Sequence, residues 1–273
     1  INIIDDINII LAINFFSKRE NLRERIEIYF HLHGYKFDVN LQLRRQIYNS
    51  IDKLILLSIK SYEIQVEENH PIPCEVEILK NGISSDVFFP LAISDKKELR
   101  KKLHLKTDIK YFLWVSQDRP KKGLSIILKA WEKITKNNKD VELLVLGTHN
   151  EIKGKQITWL GRKKNEELAV YYQSTDYYLF SSLCHEGHPL SLTEALKSGA
   201  KCLASDIDPI SEVLHNGDLG YLVKNPHFVE NWVNAINDVL NNDVDFNKRN
   251  ADLIELYDDK NWINNFKEIL NIN

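Results

Sequence analysis

The chain has 273 residues, 27% of them charged, with 36 Lys and Arg against 39 Asp and Glu for a formal charge of −3; nucleic-acid binders usually carry a basic excess, so nucleic acid is disfavoured as the main partner. No apolar run reaches the roughly 18 residues of a bilayer-spanning helix, and the opening residues do not read as a signal peptide. The three cysteines, Cys74, Cys184 and Cys202, are odd in number and widely spaced, which gives neither a disulfide framework nor a zinc site and points to a reducing compartment.

In chain order, the first half predicts strands at Ile7–Ile13 (INIILAI), Ile26–Leu32, Lys53–Ser58 and Val76–Leu79, with helices between them such as Leu41–Ile51. The stretch Lys80–Pro90 (KNGISSDVFFP) reads as a join, because Asn-Gly and Pro punctuate it. The second half alternates more regularly. Strands are expected at Tyr111–Ser116, Val141–Gly147, Ile157–Gly161, Asp176–Ser182, Lys201–Ser205 and Gly220–Val223. Helices are expected from the stripe Leu124, Ile127, Leu128, Trp131 and Ile134, at Asn165–Gln173, after Pro189 and at Asn231–Leu240. Asn261–Leu270 reads as an amphipathic helix. Apolar strands alternating with helices imply a parallel sheet covered on both faces.

The chain has no G-x-G-x-x-G after a strand and no G-x-x-x-x-G-K-[ST], so dinucleotide-oxidoreductase and P-loop readings lose their main support. Ligands of open α/β sheets bind at the carboxyl ends of the strands. The strongest candidate there is Ser181–Asp206, SSLCHEGHPLSLTEALKSGAKCLASD. A strand ends, a loop carries Glu186 and Gly187, and a helix opens at Pro189. Amides of Leu190, Ser191 and Leu192 in its first turn suit a phosphate. Glu194, one turn further in, suits the hydroxyls of a ribose. An isolated pair of glutamates at this spacing is more often solvated surface, and paired carboxylates alone also fit a hydrolase. His185 and His188 have no metal-ligand geometry. Tyr171, Tyr172, Tyr177 and Tyr178 read as packing.

From Val76 to Val223 the sequence resembles the C-terminal half of the retaining glycosyltransferases of family 4. The runs that carry the likeness are VEILKNGISSDVFFP, FLWVSQDRPKKGLSIILKAWEKI, ITWLGRKKNEELAVYYQSTDYYLFSS and EGHPLSLTEAL. The resemblance implies a GT-B fold, an α/β architecture of two Rossmann-like domains whose parallel sheets face a cleft. It implies a partial first domain over 1–85, a nucleotide-sugar-binding domain over 86–255, and a C-terminal helix over 256–273 that crosses back to the first. The glycine-rich loop expected early in the first domain is not in this chain, so that domain is read as incomplete.

The resemblance also implies roles. Glu186 would stand by the transferred sugar, and Glu194 would hold the ribose. Lys122 would neutralise the diphosphate. Gly161 and Arg162 would offer backbone to the base; Gly187, which permits close backbone approach, and Pro189, Leu190 and Ser191 at the helix start complete the donor-binding set. His33, in HLHGY, matches the family histidine that faces the donor sugar. Two bland readings stand beside these: Lys122 as surface charge after Lys121, and His33 as a structural histidine. The family's Gly-Arg pair is Ser116-Gln117 here, and Arg119 is the candidate substitute for the missing arginine. The implied donor is a UDP- or GDP-sugar, with no cofactor and no metal. The implied acceptor is a glycan or a lipid-linked sugar in surface polysaccharide biosynthesis, reached from the cytoplasm with peripheral contact at the inner membrane face. A nucleotide-sugar hydrolase or epimerase and a non-catalytic partner subunit are the alternatives.

Overall fold

The computed structural model describes residues 1–69, 72–149, 151–241 and 257–272. The chain divides into two compact units, one made of Ile1–Gly82, Glu186–His188 and Lys260–Asn273, the other of Ile83–His185 and Pro189–Asp259.

The first unit begins with β1 (Asn2–Ile4), α1 (Ile7–Arg19), β2 (Tyr29–Leu32) and α2 (Leu41–Tyr48). It continues with β3 (Lys53–Leu56), α3 (Ile59–Asn69) and β4 (Glu75–Ile78). The four strands lie in the order β1-β2-β3-β4, all parallel. Helical crossovers supply the connections that parallel pairing needs. Alternation along the strands sorts the core into two faces. Phe30, Leu32, Leu54 and Leu56 pack with Ile10 of α1 and Ile47 and Tyr48 of α2. Tyr29 and Ile55 point the other way and meet Trp262, Phe266 and Ile269 of the C-terminal helix.

One element departs from the sequence reading. Ile7–Ile13 lies in helix α1, and the edge strand is Asn2–Ile4. The Asp6 carboxylate caps the helix by accepting from the amides of Asn8 and Ile9. Ile10 is fully buried while Asn8 and Ile9 are exposed, a one-sided helical pattern hidden in a run whose isoleucines look like a strand.

The second unit runs α4 (Ile93–Lys102), β5 (Lys110–Val115), α5 (Leu124–Asn137), β6 (Val141–Leu146), β7 (Ile157–Gly161), α6 (Asn165–Ser174) and β8 (Tyr177–Phe180). Then follow α7 (Leu190–Lys197), β9 (Lys201–Ser205), α8 (Ile210–Val213), β10 (Tyr221–Val223) and α9 (Val229–Leu240); α10 (Asp259–Ile269) belongs from Lys260 on to the first unit. The six strands lie in the order β10-β9-β8-β5-β6-β7, and every pairing is parallel. Phe112, Trp114, Leu143, Val145, Tyr177 and Leu179 face one way and pack under the buried stripes of α5 and α9. Tyr111, Leu113, Leu144, Tyr178, Phe180 and Cys202 face the other way, against Leu192, Ala195 and Leu196 of α7. Strand order reverses between β5 and β8, because β6 and β7 extend one side and β9 and β10 the other. Such a reversal opens a ligand crevice at the carboxyl ends of the two strands. Among the described residues no helix is long and apolar enough to cross a membrane.

Candidate functional site

In the second unit, the ends of β5 and β8 are stitched together by one hydroxyl. Ser181 follows β8 and is 2% exposed. Its Oγ accepts from the Trp114 indole at 3.0 Å and donates to the Lys122 carbonyl at 2.8 Å. The Leu183 amide donates to the Lys121 carbonyl at 2.7 Å. The turn Pro120–Lys122 and the loop entering α7 are therefore neighbours at the strand reversal. Gly123 closes that turn at φ 74°, a conformation that glycine adopts at little cost. A Cβ there would lie 2.1 Å from the Ser181 carbonyl oxygen, so the close approach also needs glycine.

Helix α7 starts at Pro189, and no side chain caps it among the described residues. The Thr193 amide bonds back to the Pro189 carbonyl, which leaves the amides of Leu190, Ser191 and Leu192 as the first-turn donors. Leu190 is exposed and Ser191 half-buried. Glu194 is half-buried in the same helix, with the fully buried Tyr172 phenol beside it. Burial raises the Glu194 carboxyl above its ordinary value, and the neighbouring Tyr172 phenol opposes that rise. Tyr178, buried next to Tyr172, also neighbours Glu194.

The strand ends on the other side of β5 are tied as well. The Gly147 amide donates to the Gly161 carbonyl at 2.8 Å, and a Cβ on Gly147 would lie 2.2 Å from the Ser116 oxygen. The Gly161 carbonyl is thus already engaged. Gly161 itself has φ 66° and open space where a side chain would be. Arg162, Gln117 and Arg119 are exposed. The Arg119 amide closes onto the Gln117 carbonyl at 2.8 Å, a tight bend that turns both residues off the end of β5.

In the first unit, His33 follows β2. Its amide donates to the Asp5 carboxylate at 2.7 Å, and its Nδ1 lies 3.6 Å from the other oxygen of Asp5. Residues Glu186–His188 group with this unit. A Cβ on Gly187 would stand 2.2 Å from the His33 carbonyl oxygen. The Asn81 amide donates to the His188 carbonyl at 2.9 Å. His188 is 4% exposed, and burial with the nearby Lys80 charge lowers its pKa to about 3.

The predicted residues therefore fall into two sets. Lys122, Pro189, Leu190, Ser191 and Glu194 come together around the β5 and β8 ends, with Gly161 tied to β6. Glu186, Gly187 and His33 come together beyond β2. Sequence reasoning gave no role to Asp5 or Ser181, which hold His33 and the Lys122 turn in place, and read Asn81 only as part of the join and Tyr172 only as packing. Asp5 had a readable signal, as a carboxylate just after an apolar run. The others act through contacts distant in sequence. Among the described residues no group of three or more His, Cys, Asp or Glu side chains is placed to hold a metal ion.

Known proteins resemble this chain in sequence and in fold. The phosphatidyl-myo-inositol mannosyltransferase of Mycobacterium tuberculosis (strain H37Rv) is 30% identical over 114 residues, which cover 39% of this chain and 30% of that protein. The Escherichia coli UDP-Gal:alpha-D-GlcNAc-diphosphoundecaprenol alpha-1,3-galactosyltransferase is 25% identical over 67% of this chain and 50% of its own length. The chain thus spans between about a third and a half of these curated relatives. Among solved structures, Anabaena HepE in complex with UDP superposes with a TM-score of 0.78 at 17% identity, covering 99% of this chain and 78% of that one. Sucrose-phosphate synthase from Thermosynechococcus elongatus gives a TM-score of 0.77 at 17% identity, over 96% and 71%. These neighbours are GT-B glycosyltransferases, and the fold is theirs. A family model described as "Glycosyl transferases group 1" matches residues 95–256, more than half of the chain, and the chain belongs to that family.

Proposed function

We propose that this chain carries the donor site of a retaining, family-4-like glycosyltransferase that uses a nucleotide-diphosphate sugar without a metal. The observation that carries the reading is the Ser181 hydroxyl link. It brings the Lys122 turn beside the loop into α7 at the reversal point of the sheet. In this reading Lys122 and the amides of Leu190, Ser191 and Leu192 hold the diphosphate, which suits a cation and helix N–H groups. Glu194 accepts from the ribose hydroxyls, and the backbone at Arg162 meets the base. The HepE structure with UDP, of the same fold, supports a uridine nucleotide as the first ligand to try.

In the proposed reaction the acceptor hydroxyl attacks the anomeric carbon as the bond to the β-phosphate oxygen breaks. The departing phosphate oxygen takes the hydroxyl proton, and the nucleoside diphosphate leaves. The protein contributes electrostatics, with charge that grows on the leaving group met by groups already in place. Glu186 and His33 orient the sugar. The names of the relatives, which include a phosphatidyl-myo-inositol and a diphosphoundecaprenol-linked sugar, favour a lipid-linked acceptor. In this reading the reaction belongs to surface polysaccharide synthesis, in the cytoplasm at the inner membrane face.

The test is calorimetry with UDP, GDP, UDP-glucose and GDP-mannose, followed by a transfer assay on a glycolipid extract with a donor-only control. Binding of one nucleotide series and transfer to lipid are expected. Free sugar from donor alone would make the chain a hydrolase. Absence of binding to any nucleotide would overturn the reading.

A further inference from the structure

Lys197 ends helix α7, three residues beyond Glu194, and is 1% exposed. A buried ammonium costs several kcal/mol unless it is paired and hydrogen-bonded. Its Nζ donates to the Ser85 Oγ at 2.7 Å, and the Ser85 hydroxyl in turn donates to the Asp258 carboxylate. A serine hydroxyl accepts and donates at once, so it serves as the relay between the two charges. The backbones of these partners are joined as well. The Ile83 amide donates to the Tyr257 carbonyl at 2.7 Å, and Ile83 forms a parallel bridge with Asp258.

The placement gives this network its interest. The chain passes from one unit to the other at Gly82/Ile83 and again at Asp259/Lys260. Ser85 and Asp258 lie just inside the second unit at those two passages. The helix that ends at Lys197 starts at Pro189, where the chain re-enters the second unit after Glu186–His188. A single buried cation thus ties the helix of Glu194 to both passages. Burial lowers its pKa, while Asp258 and Asp259 hold the proton on. A neutral side chain of similar size would fill the space and drop the tether.

We propose that Lys197 is a positioning residue, which couples the far end of α7 to the two passages through Ser85 and Asp258. This goes beyond the donor reading, which assigns Lys197 nothing. The test reads amide hydrogen exchange at two reporters. One is Ile83, bonded to Tyr257. The other is Ser198, whose amide donates to the Glu194 carbonyl at 3.0 Å. Ser85→Ala removes the relay and leaves the ammonium in place without that acceptor, and Lys197→Met removes the charge itself. In both variants exchange should rise at least roughly tenfold at Ile83 and at Ser198 together, a loss of about 1.4 kcal/mol in local opening free energy. Lys197→Arg should keep both slow. A rise confined to Ile83 in Ser85→Ala, or no rise at either reporter, overturns the coupling. UDP affinity is measured alongside. Lys197→Met should bind UDP several-fold more weakly; wild-type protein that binds no nucleotide would sink the donor reading, while the exchange result would still decide the coupling.

Discussion

Gly123 and Ser181 approach so closely that a Cβ on the glycine would stand 2.1 Å from the serine carbonyl oxygen. The Gly123 backbone is also left-handed, at φ 74°. Gly123→Ala should therefore be penalised twice, by roughly 1–2 kcal/mol for the backbone and by displacement of the Lys122 turn from β8. Tm should fall by several degrees at about 2–4 °C per kcal/mol, and UDP affinity should fall with it. A thermal melt with calorimetry checks this; a wild-type melt and unchanged affinity would show that the turn shifts freely.

Lys122→Ala should weaken UDP much more than uridine. Charge-assisted hydrogen bonds contribute about 1.5–3 kcal/mol, which is roughly 10- to 150-fold in Kd for the diphosphate. Titration of the two ligands against the variant gives the difference directly. Equal losses would place Lys122 away from phosphate. Arg119→Ala, made in parallel, should cost less because the side chain lies at an exposed bend.

The two glutamates should separate kinetically. Glu186→Gln is expected to lower kcat with little change in donor Kd, because orientation of the sugar matters most in the transition state. Glu194→Ala should raise donor Kd and leave a slow but measurable kcat at saturation. The reverse pattern would exchange the two roles. Circular dichroism of both variants establishes that the fold survives.

Much of the second unit was legible because its elements are long, periodic and punctuated. The stripe of α5 from Leu124 to Ile134 and the Pro189 start of α7 could each be read locally. The first unit was harder. Asn2–Ile4 is too short to stand out as a strand, and isoleucine-rich α1 carries a strand-like composition under a helical pattern of burial. Candidate site residues emerged where a motif named them, as with Glu186, Glu194 and Lys122. The groups that hold them did not emerge. Ser181 is 59 residues from Lys122 along the chain, and no local spacing predicts such a link. Lys197 carries no local signal of its burial, because the Ser85 hydroxyl that meets it lies 112 residues away along the chain.

The last prediction concerns acid stability of the first unit. His31 in β2 is 5% exposed, its Nε2 has no hydrogen-bond partner among the described residues, and its ring meets Phe266 edge-on at 5.4 Å. Burial, with the neighbouring His33, lowers its pKa from 6.5 to about 4. His188 is lowered from 6.5 to about 3, again by burial first. Both histidines are therefore neutral in the folded chain at pH 5, whereas in the unfolded chain both are protonated there. The sign follows: a folded pKa below the unfolded one gives stability that is fully present above about pH 6.5 and lost as pH falls toward the folded pKa. Each group adds a slope of about 1.4 kcal/mol per pH unit in that window, so each removes roughly 2 kcal/mol between pH 7 and pH 5. Denaturant unfolding at the two pH values should show the combined drop. His31→Leu should diminish it by about half, and should not destabilise at pH 7, since it removes a buried polar atom that lacks a partner. An unchanged pH 5 to pH 7 difference in this variant would mean that His31 takes up its proton in the folded state by a local opening of β2.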